Sequence, residues 1–479
     1  MNALRSDFAV RRTGLRIAVL LTFSLCVASI ATAQDRTNVR GVGMARAINA
    51  AARGVDALGI NPSLLALPEN RFMEIGLAQF GFHVRSDFVS YDVYNKYFTG
   101  VDDGMGGRKP MEMTEQDERD LIGLLPDEGE TRATFDIVPV AISFHNNVIG
   151  GFGFSVTEHI GIKNNLDKDF FRLPFDGLDT DGSFYDLSDN RQEGWWWREY
   201  NFSYGRKIPT FIPFAKRVFL GFGVKVVRGY GVFETTHYSA SVSNSNVDQN
   251  QYDFKAHSEF LVRRSGIQEF ASDTAEFGGP FPDPAGKGTG FDLGMTIELN
   301  HGIRVSAAVV NIGSISWDKN LVETVGAGEI YVSNPFSAEG NDSLLTALRG
   351  TNRPGGAFTT PLPTQLRMGA TMRSDEVPFL KFLPCRLSLA IDYLQGFNNS
   401  LGNTTKPRFA LGAEYRIIPL IPLRTGIALG GGDTFRWSAG FGLDFYVLTF
   451  DLATENIGVL TSLDNFSMFE VSAALKIRI

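Results

Sequence analysis

The sequence predicts an all-β fold, a transmembrane antiparallel up-and-down β-barrel of about 14 strands with an N-terminal plug in its lumen. Three observations carry this reading. Segments of alternating hydrophobicity recur from residue 71 onward, the gaps between them alternate between tight and long, and a leader directs the chain to export. In the stretch 291–299, Phe291, Leu293, Met295, Ile297 and Leu299 share one face of a strand, while Asp292, Gly294, Thr296 and Glu298 share the other. Residues 469–479 repeat the pattern, with Phe469, Val471, Ala473, Leu475, Ile477 and Ile479 opposed to Glu470, Ser472, Lys476 and Arg478. A period of two sustained over so many segments requires an apolar medium on one side and a polar space on the other. A bacterial outer-membrane barrel supplies both.

The leader is the first element. Arg5, Arg11, Arg12 and Arg16 precede an apolar run from Ile17 to Ile30, and Ala31-Thr32-Ala33 offers the small residues that a signal peptidase reads. Residues 1–33 are thus an expected signal peptide, cleaved before Gln34, and the run is too short for a spanning helix. Cys26 follows Leu25 rather than a small residue, which argues against a lipoprotein anchor. Without the leader Cys385 is the single cysteine, so no internal disulfide is expected. The expected location is the outer membrane of a Gram-negative bacterium. The net charge of −8 argues against a nucleic-acid partner. The 39 phenylalanines suit interfacial girdles and the 51 glycines a crowded lumen.

Residues 71–479 form the expected barrel. Its strands are read near 71–84, 134–144, 148–158, 195–207, 216–232, 288–300, 303–313, 363–373, 386–396, 407–417, 422–431, 435–447, 448–456 and 465–479. An even count places both ends of the barrel on one side. Residues 145–147, 208–214, 300–302 and 419–422 read as tight turns, and the polar stretches near 85–133, 159–194, 233–287 and 314–362 as long extracellular loops. Within the first of these, Thr114 followed by Asp117 predicts a capped helix running to Leu125, and 341–349 predicts another short helix. Trp195-Trp196-Trp197, Trp317 and Trp437 lie near strand ends and read as girdle aromatics.

The alternation directs Arg367, Arg373, Asp392, Arg408, Glu414, Arg416, Arg424, Arg436, Asp444, Asp451, Glu455, Glu470 and Lys476 into the lumen. Facing lipid at mid-depth, an arginine or lysine would cost roughly 2–4 kcal/mol. Both signs occur on adjacent strands, which predicts a lumen polar network of Glu414, Arg416, Arg424, Arg436, Asp444 and Asp451. Glu414 and Arg424 flank the 419–422 corner symmetrically and are expected to be cross-strand neighbours.

Signatures of catalysis are missing. The six histidines have no metal-ligand spacing, and Asp179-Thr180-Asp181-Gly182 lacks the remainder of a calcium loop. Gly286-Lys287-Gly288-Thr289 lacks the upstream glycine of a phosphate loop, with Phe281 in its place. The expectation is no enzyme, no cofactor and no metal.

Residues 34–70 do not alternate. They read as a glycine-led turn, a short helix of small residues and an exit at Asn61-Pro62. A barrel this wide needs filling, so the segment is expected to fold into the lumen as a hatch. Here the sequence resembles a known superfamily. The Gly41-x-Gly43-x-Ala45 lead, Asp56-Ala57 and Asn61-Pro62 followed by leucines are similar to the N-terminal hatch of FadL-type fatty-acid transporters and of the PorV/PorQ barrels of Bacteroidota. Stretches 309–317, 361–372 and 411–444 are similar to strands of that group. The helix after the first strand (TEQDERDLIGLLPDEG) and the DKDFFRLPFDG loop resemble an uncharacterised Bacteroidota-type outer-membrane barrel family of unknown function. Ser63 departs from the pattern, since the transporters usually carry alanine after Asn-Pro.

The resemblance implies a gate built on Gly41, Gly43, Asp56, Asn61 and Pro62, and FadL-like passage of hydrophobic small molecules. The alternatives are a PorV-like barrel that binds secretion or surface proteins, and a structural barrel without cargo. Outer-membrane lipid is the common partner of all three.

Overall fold

The computed structural model describes residues 36–68, 71–102, 104, 108–109, 111, 113–176, 182–188, 190–210, 212–248, 251–266, 282–326, 328–332, 350–377, 386–431, 435–458 and 467–479. The expected signal peptide, the helix expected over 341–349, the Asp179–Asp181 stretch and Cys385 lie outside these residues.

Fourteen strands close into one antiparallel barrel. They are β1 (Met73–Ser86), β2 (Glu128–Asn146), β3 (Gly150–Asp167), β4 (Arg191–Ile208), β5 (Ala215–Asp248), β6 (Gly286–Leu299) and β7 (Ile303–Trp317). The second half comprises β8 (Gln365–Arg373), β9 (Arg386–Gly396), β10 (Arg408–Arg416), β11 (Pro422–Gly430), β12 (Phe435–Phe445), β13 (Leu448–Thr454) and β14 (Met468–Arg478). Each pairs with its neighbour in sequence, and β14 returns to β1 from Glu74↔Arg478 to Arg85↔Met468. Closure leaves no sheet edge, which lipid would not tolerate. Register shifts interrupt the β1–β14 pairing between Leu77 and Phe80, where Ala78 takes a positive φ of 49°, and the β2–β3 pairing between Ile137 and Val140.

The period of two is realised physically. Phe291, Leu293, Leu389, Ile391, Phe409, Leu411 and Leu429 point outward and are exposed, while Asp292, Thr296, Asp392, Glu414 and Lys476 on the same strands or their neighbours are buried inside. No helix among the described residues is long and apolar enough to cross a membrane; the strands do so.

The wall is uneven in height. Strands β8 to β12 have 9 to 11 residues, about what a tilted strand needs to cross a bilayer. Strands β2, β3 and β4 have 19, 18 and 18 residues, and β5 has 34. The stretches expected as long loops are therefore sheet and helix over much of their described length. The upper part of β5 pairs with Gln251–Ser265, and that strand pairs in turn with Leu321–Val325 and Gly328–Val332. Above the membrane this sheet meets water in place of lipid on its outer face, and it buries only small residues, Ala240, Val242 and Ala256 with Leu187, on the other, so backbone pairing continues while the apolar alternation weakens. The helix started by Thr114 is present as Glu115–Leu124, and its capping box is complete. The Thr114 hydroxyl donates to Asp117 over 2.6 Å and holds that carboxyl below its usual range.

The tryptophans correct the girdle expectation. Trp195, Trp197 and Trp317 point inward and are buried with Val227, Ile315 and Leu362, closing the long-loop end of the bore. Trp195 and Trp197 share a strand face with the inward Glu199 and Asn201, so alternation, not proximity to a rim, decides their side. Trp437 is half exposed on the outer face, as a girdle residue would be.

Leu411→Arg, a charge on the lipid face at mid-strand, is expected to lower unfolding stability by about 2–4 kcal/mol in lipid vesicles. Denaturant titration followed by tryptophan fluorescence measures this; an unchanged midpoint would refute the assigned register.

Candidate functional site

Residues 36–68 lie inside the barrel and are almost wholly buried. Their path follows from local chemistry. Asn38 caps the short helix Val39–Gly43 by accepting from the Gly41 amide, and Ala45 and Arg46 then turn the chain with positive φ. A 3-10 turn at Gly54–Ala57 follows. A second, Pro62–Ala66, starts with proline and is capped by Asn61, whose side chain accepts from the Ser63 amide. The Ser63 hydroxyl donates to Asn61 Oδ1 at 2.7 Å and lies 2.7 Å from the Thr296 hydroxyl on β6, which gives this departure from the family pattern a structural place.

Where the segment touches the wall, the wall presents glycine. A Cβ at Gly294 would lie 2.0 Å from Asn61 Oδ1, one at Gly151 1.9 Å from the Leu65 carbonyl oxygen, and one at Gly221 2.3 Å from the Ser63 amide. Within the segment, a Cβ at Gly43 would lie 3.2 Å from the Gly440 Cα. These absent side chains let backbone lie against backbone.

Ion pairs complete the contact. Arg40 Nε bonds Glu414 Oε2 at 2.9 Å, Arg424 Nε bonds the same oxygen at 2.8 Å, and Arg424 Nη1 reaches Asp451 at 2.6 Å. Lys476 joins Asp451 at 3.6 Å to Asp56 at 2.6 Å, which returns the chain of charges to the segment. Arg416 touches Glu414 and Asp444, and Arg478 links Asp444 to Glu74, each of the last two contacts at 2.9 Å. A separate cluster holds Arg436 against Glu455, with Arg46 on Glu455 at 2.6 Å and Arg36 on Glu470 at 3.3 Å. On β9, the strand next to that of Glu414, the Asp392 carboxylate accepts from the Ile48 and Asn49 amides, both at 2.7 Å.

The structure thus joins Glu414, Arg416, Arg424, Asp444 and Asp451 and sets Arg436 apart. Of the residues expected to form a gate, Asp56 makes an ion pair, Asn61 is a cap, and Gly41, Gly43 and Pro62 provide close packing. The sequence reading missed Arg36, Arg40 and Arg46, the segment's own cations. Their signal was arginine in a stretch of otherwise small residues.

Below the segment, at the tight-turn rim, lies a cavity of about 760 Å³. Among the described residues no group of three or more His, Cys, Asp or Glu is placed to hold a metal ion.

The chain belongs to a family of unknown function, DUF5723, whose sequence profile spans residues 66–454. No curated protein matches the sequence. Among solved structures, a FadL homologue of Pseudomonas aeruginosa is similar at a TM-score of 0.45 and 12% identity, covering 94% of this chain and 99% of that one. The toluene transporter TodX of Pseudomonas putida gives 0.39 and 9%, over 94% of this chain and 97% of that one. The monoaromatic hydrocarbon channel CymD gives 0.41 and 12%, over 92% and 96%. With its closed antiparallel sheet and apolar exterior, the chain is a transmembrane β-barrel.

Lys476→Met leaves Asp56 buried without its cation, a loss worth about 3–5 kcal/mol for a buried pair. Amide hydrogen exchange over residues 38–58 is expected to accelerate at least tenfold while the strands keep their protection. Unchanged exchange in the segment would show that this pair does not hold it.

Proposed function

We propose that the protein passes small amphipathic molecules across the outer membrane of a Gram-negative cell, with residues 36–68 as a displaceable hatch. The supporting observation is the way the segment is held. Its largest apolar cluster, from Ile48 to Leu67, is made of its own residues, with Phe219 as the wall's contribution. That cluster would move with the hatch. The wall answers the rest with alanines (Ala390, Ala410 and Ala428 around Met44), glycines and charges. A bore vacated by such a plug is hydratable, and hydrated charges replace their lost partners with water.

The residues also indicate which molecules would use the path. A solute entering from the long-loop end meets Trp197, Trp317 and Leu362 first and the charged rim last. Purely hydrophobic cargo, implied by the FadL-like resemblance, suits the first region and not the second. A molecule with an apolar body and a polar group suits both.

A second reading draws on the tall β5 sheet, which stands well above a bilayer's thickness and offers paired strands to a surface or secretion partner, as in a PorV-like role. It needs no movement of the hatch, so one experiment separates the two. Gly43→Cys with Gly440→Cys, in a Cys385→Ser background, places two thiols within disulfide reach. Oxidation is expected to abolish flux of a small amphipathic dye into proteoliposomes, reduction to restore it, and deletion of residues 36–62 to raise it several-fold. Equal flux in all three states would overturn gating and leave the interaction or cargo-free readings.

A further inference from the structure

The cavity at the tight-turn rim has a charge balance opposite to that of the whole chain. Twelve arginine or lysine side chains line it against seven aspartates or glutamates, in a protein of net charge −8. At least eight of these cations have carboxylate partners: five in the networks above, and Arg217 on Glu298, Arg373 on Asp375 and Glu376, and Arg386 on Asp375. Arg304, at the start of β7, has none. It is 3% exposed, lines the cavity, and makes one hydrogen bond, Nη1 to the Ala50 carbonyl at 3.4 Å. Its cross-strand neighbour Glu298 is bound by Arg217 from the other side, and its neighbour on β8 is Thr371, an uncharged residue. The charges nearest to it are two cations, Arg53 and Arg373, and two carboxylates, Glu298 and Glu376, neither of which forms an ion pair with it. Arg71, at the same rim, has a buried Nη1 with no hydrogen-bond partner.

A buried guanidinium with no carboxylate in contact is costly unless an anion joins it. We infer that this vestibule is a binding site for a polyvalent oxyanion of the phosphate class, with Arg304 as its central ligand and Arg71 beside it. Guanidinium groups recognise tetrahedral oxyanions through paired N–H donors, and several converging on one space favour a polyvalent ligand over a monocarboxylate. The buried Ser388 lines the same wall, and exposed Lys216 and Arg386 stand at the mouth, so the ligand enters from the tight-turn side. The volume exceeds what one phosphate fills, leaving room for the group that carries it. This inference rests on the lining alone and holds whether or not the hatch moves.

The test uses the full chain in phosphate-free zwitterionic detergent. The hatch is locked by the disulfide introduced between positions 43 and 440, so that failure of gating cannot affect the result. Calorimetric titration with pyrophosphate, and separately with dihexanoyl phosphatidic acid, is expected to give one-to-one binding of at least one probe. Arg304→Met is expected to weaken it at least tenfold and Arg71→Gln several-fold, and affinity should fall as salt rises. Arg119→Met, on the exposed helix after β1, is the control and should change nothing. Binding of pyrophosphate assigns a soluble ligand, and binding of the phosphatidic acid alone assigns a lipid headgroup. Each variant is first checked for barrel closure by its heat-modifiable gel mobility. If closed barrels bind neither probe, or bind one equally with Arg304 and without it, the inference is overturned.

Discussion

Inside a bilayer no water is available to the backbone, so every strand must pair on both sides and the sheet must close. Much of this molecule follows from that requirement. A closed sheet has an outer face that meets lipid and an inner face that does not, and charged residues are confined to the inner one by the cost of facing acyl chains. Fourteen strands enclose more space than their inward side chains can fill. The bore therefore needs both substance and counter-charges. Residues 36–68 supply the substance, and Arg36, Arg40, Arg46 and Asp56 supply charges that meet Glu470, Glu414, Glu455 and Lys476 on the wall.

What the sequence revealed corresponds to where this constraint acts. Between the rims each strand has lipid on one side, and the alternation in stretches such as Phe291–Leu299 or Phe409–Tyr415 marks both the strand and its register. Glu414 and Arg424 could be paired from their distance to a turn. Above the membrane the rule lapses. In the upper part of β5, from Thr235 to Asp248, the alternation shrinks to Tyr238, Ala240 and Val242 between serines, too small and too polar a signal to separate sheet from loop. The tryptophans at 195 and 197 misled for a related reason. Nearness to a rim suggested a girdle, while the parity of their positions along β4 directs them inward.

The rim cavity was illegible for another reason. Its lining is contributed by residues near the tight-turn ends of many strands, from Arg71 to Arg478, and none of those positions is unusual alone. The excess of cations is a property of the closed ring. Pairing adds to the difficulty: Glu298 lies opposite Arg304 in register yet is engaged by Arg217, so even a correct strand map would have assigned Arg304 a partner it lacks.

The contacts that join residues 36–68 to the wall are of different kinds. Glycines such as Gly151, Gly221 and Gly294 bring backbones together without burying large side chains, so separation exposes little apolar surface there. The leucines and isoleucine around the Pro62 turn pack mainly on each other and would stay packed. The ion pairs remain, and their strength depends on the exclusion of water. Lys476 and Arg424 are joined through Asp451, and all three line the cavity that opens at the rim. Arg304, on the same cavity, touches the segment at the Ala50 carbonyl. Arg304 thus belongs both to the lining of the rim cavity and to the contact between the wall and residues 36–68.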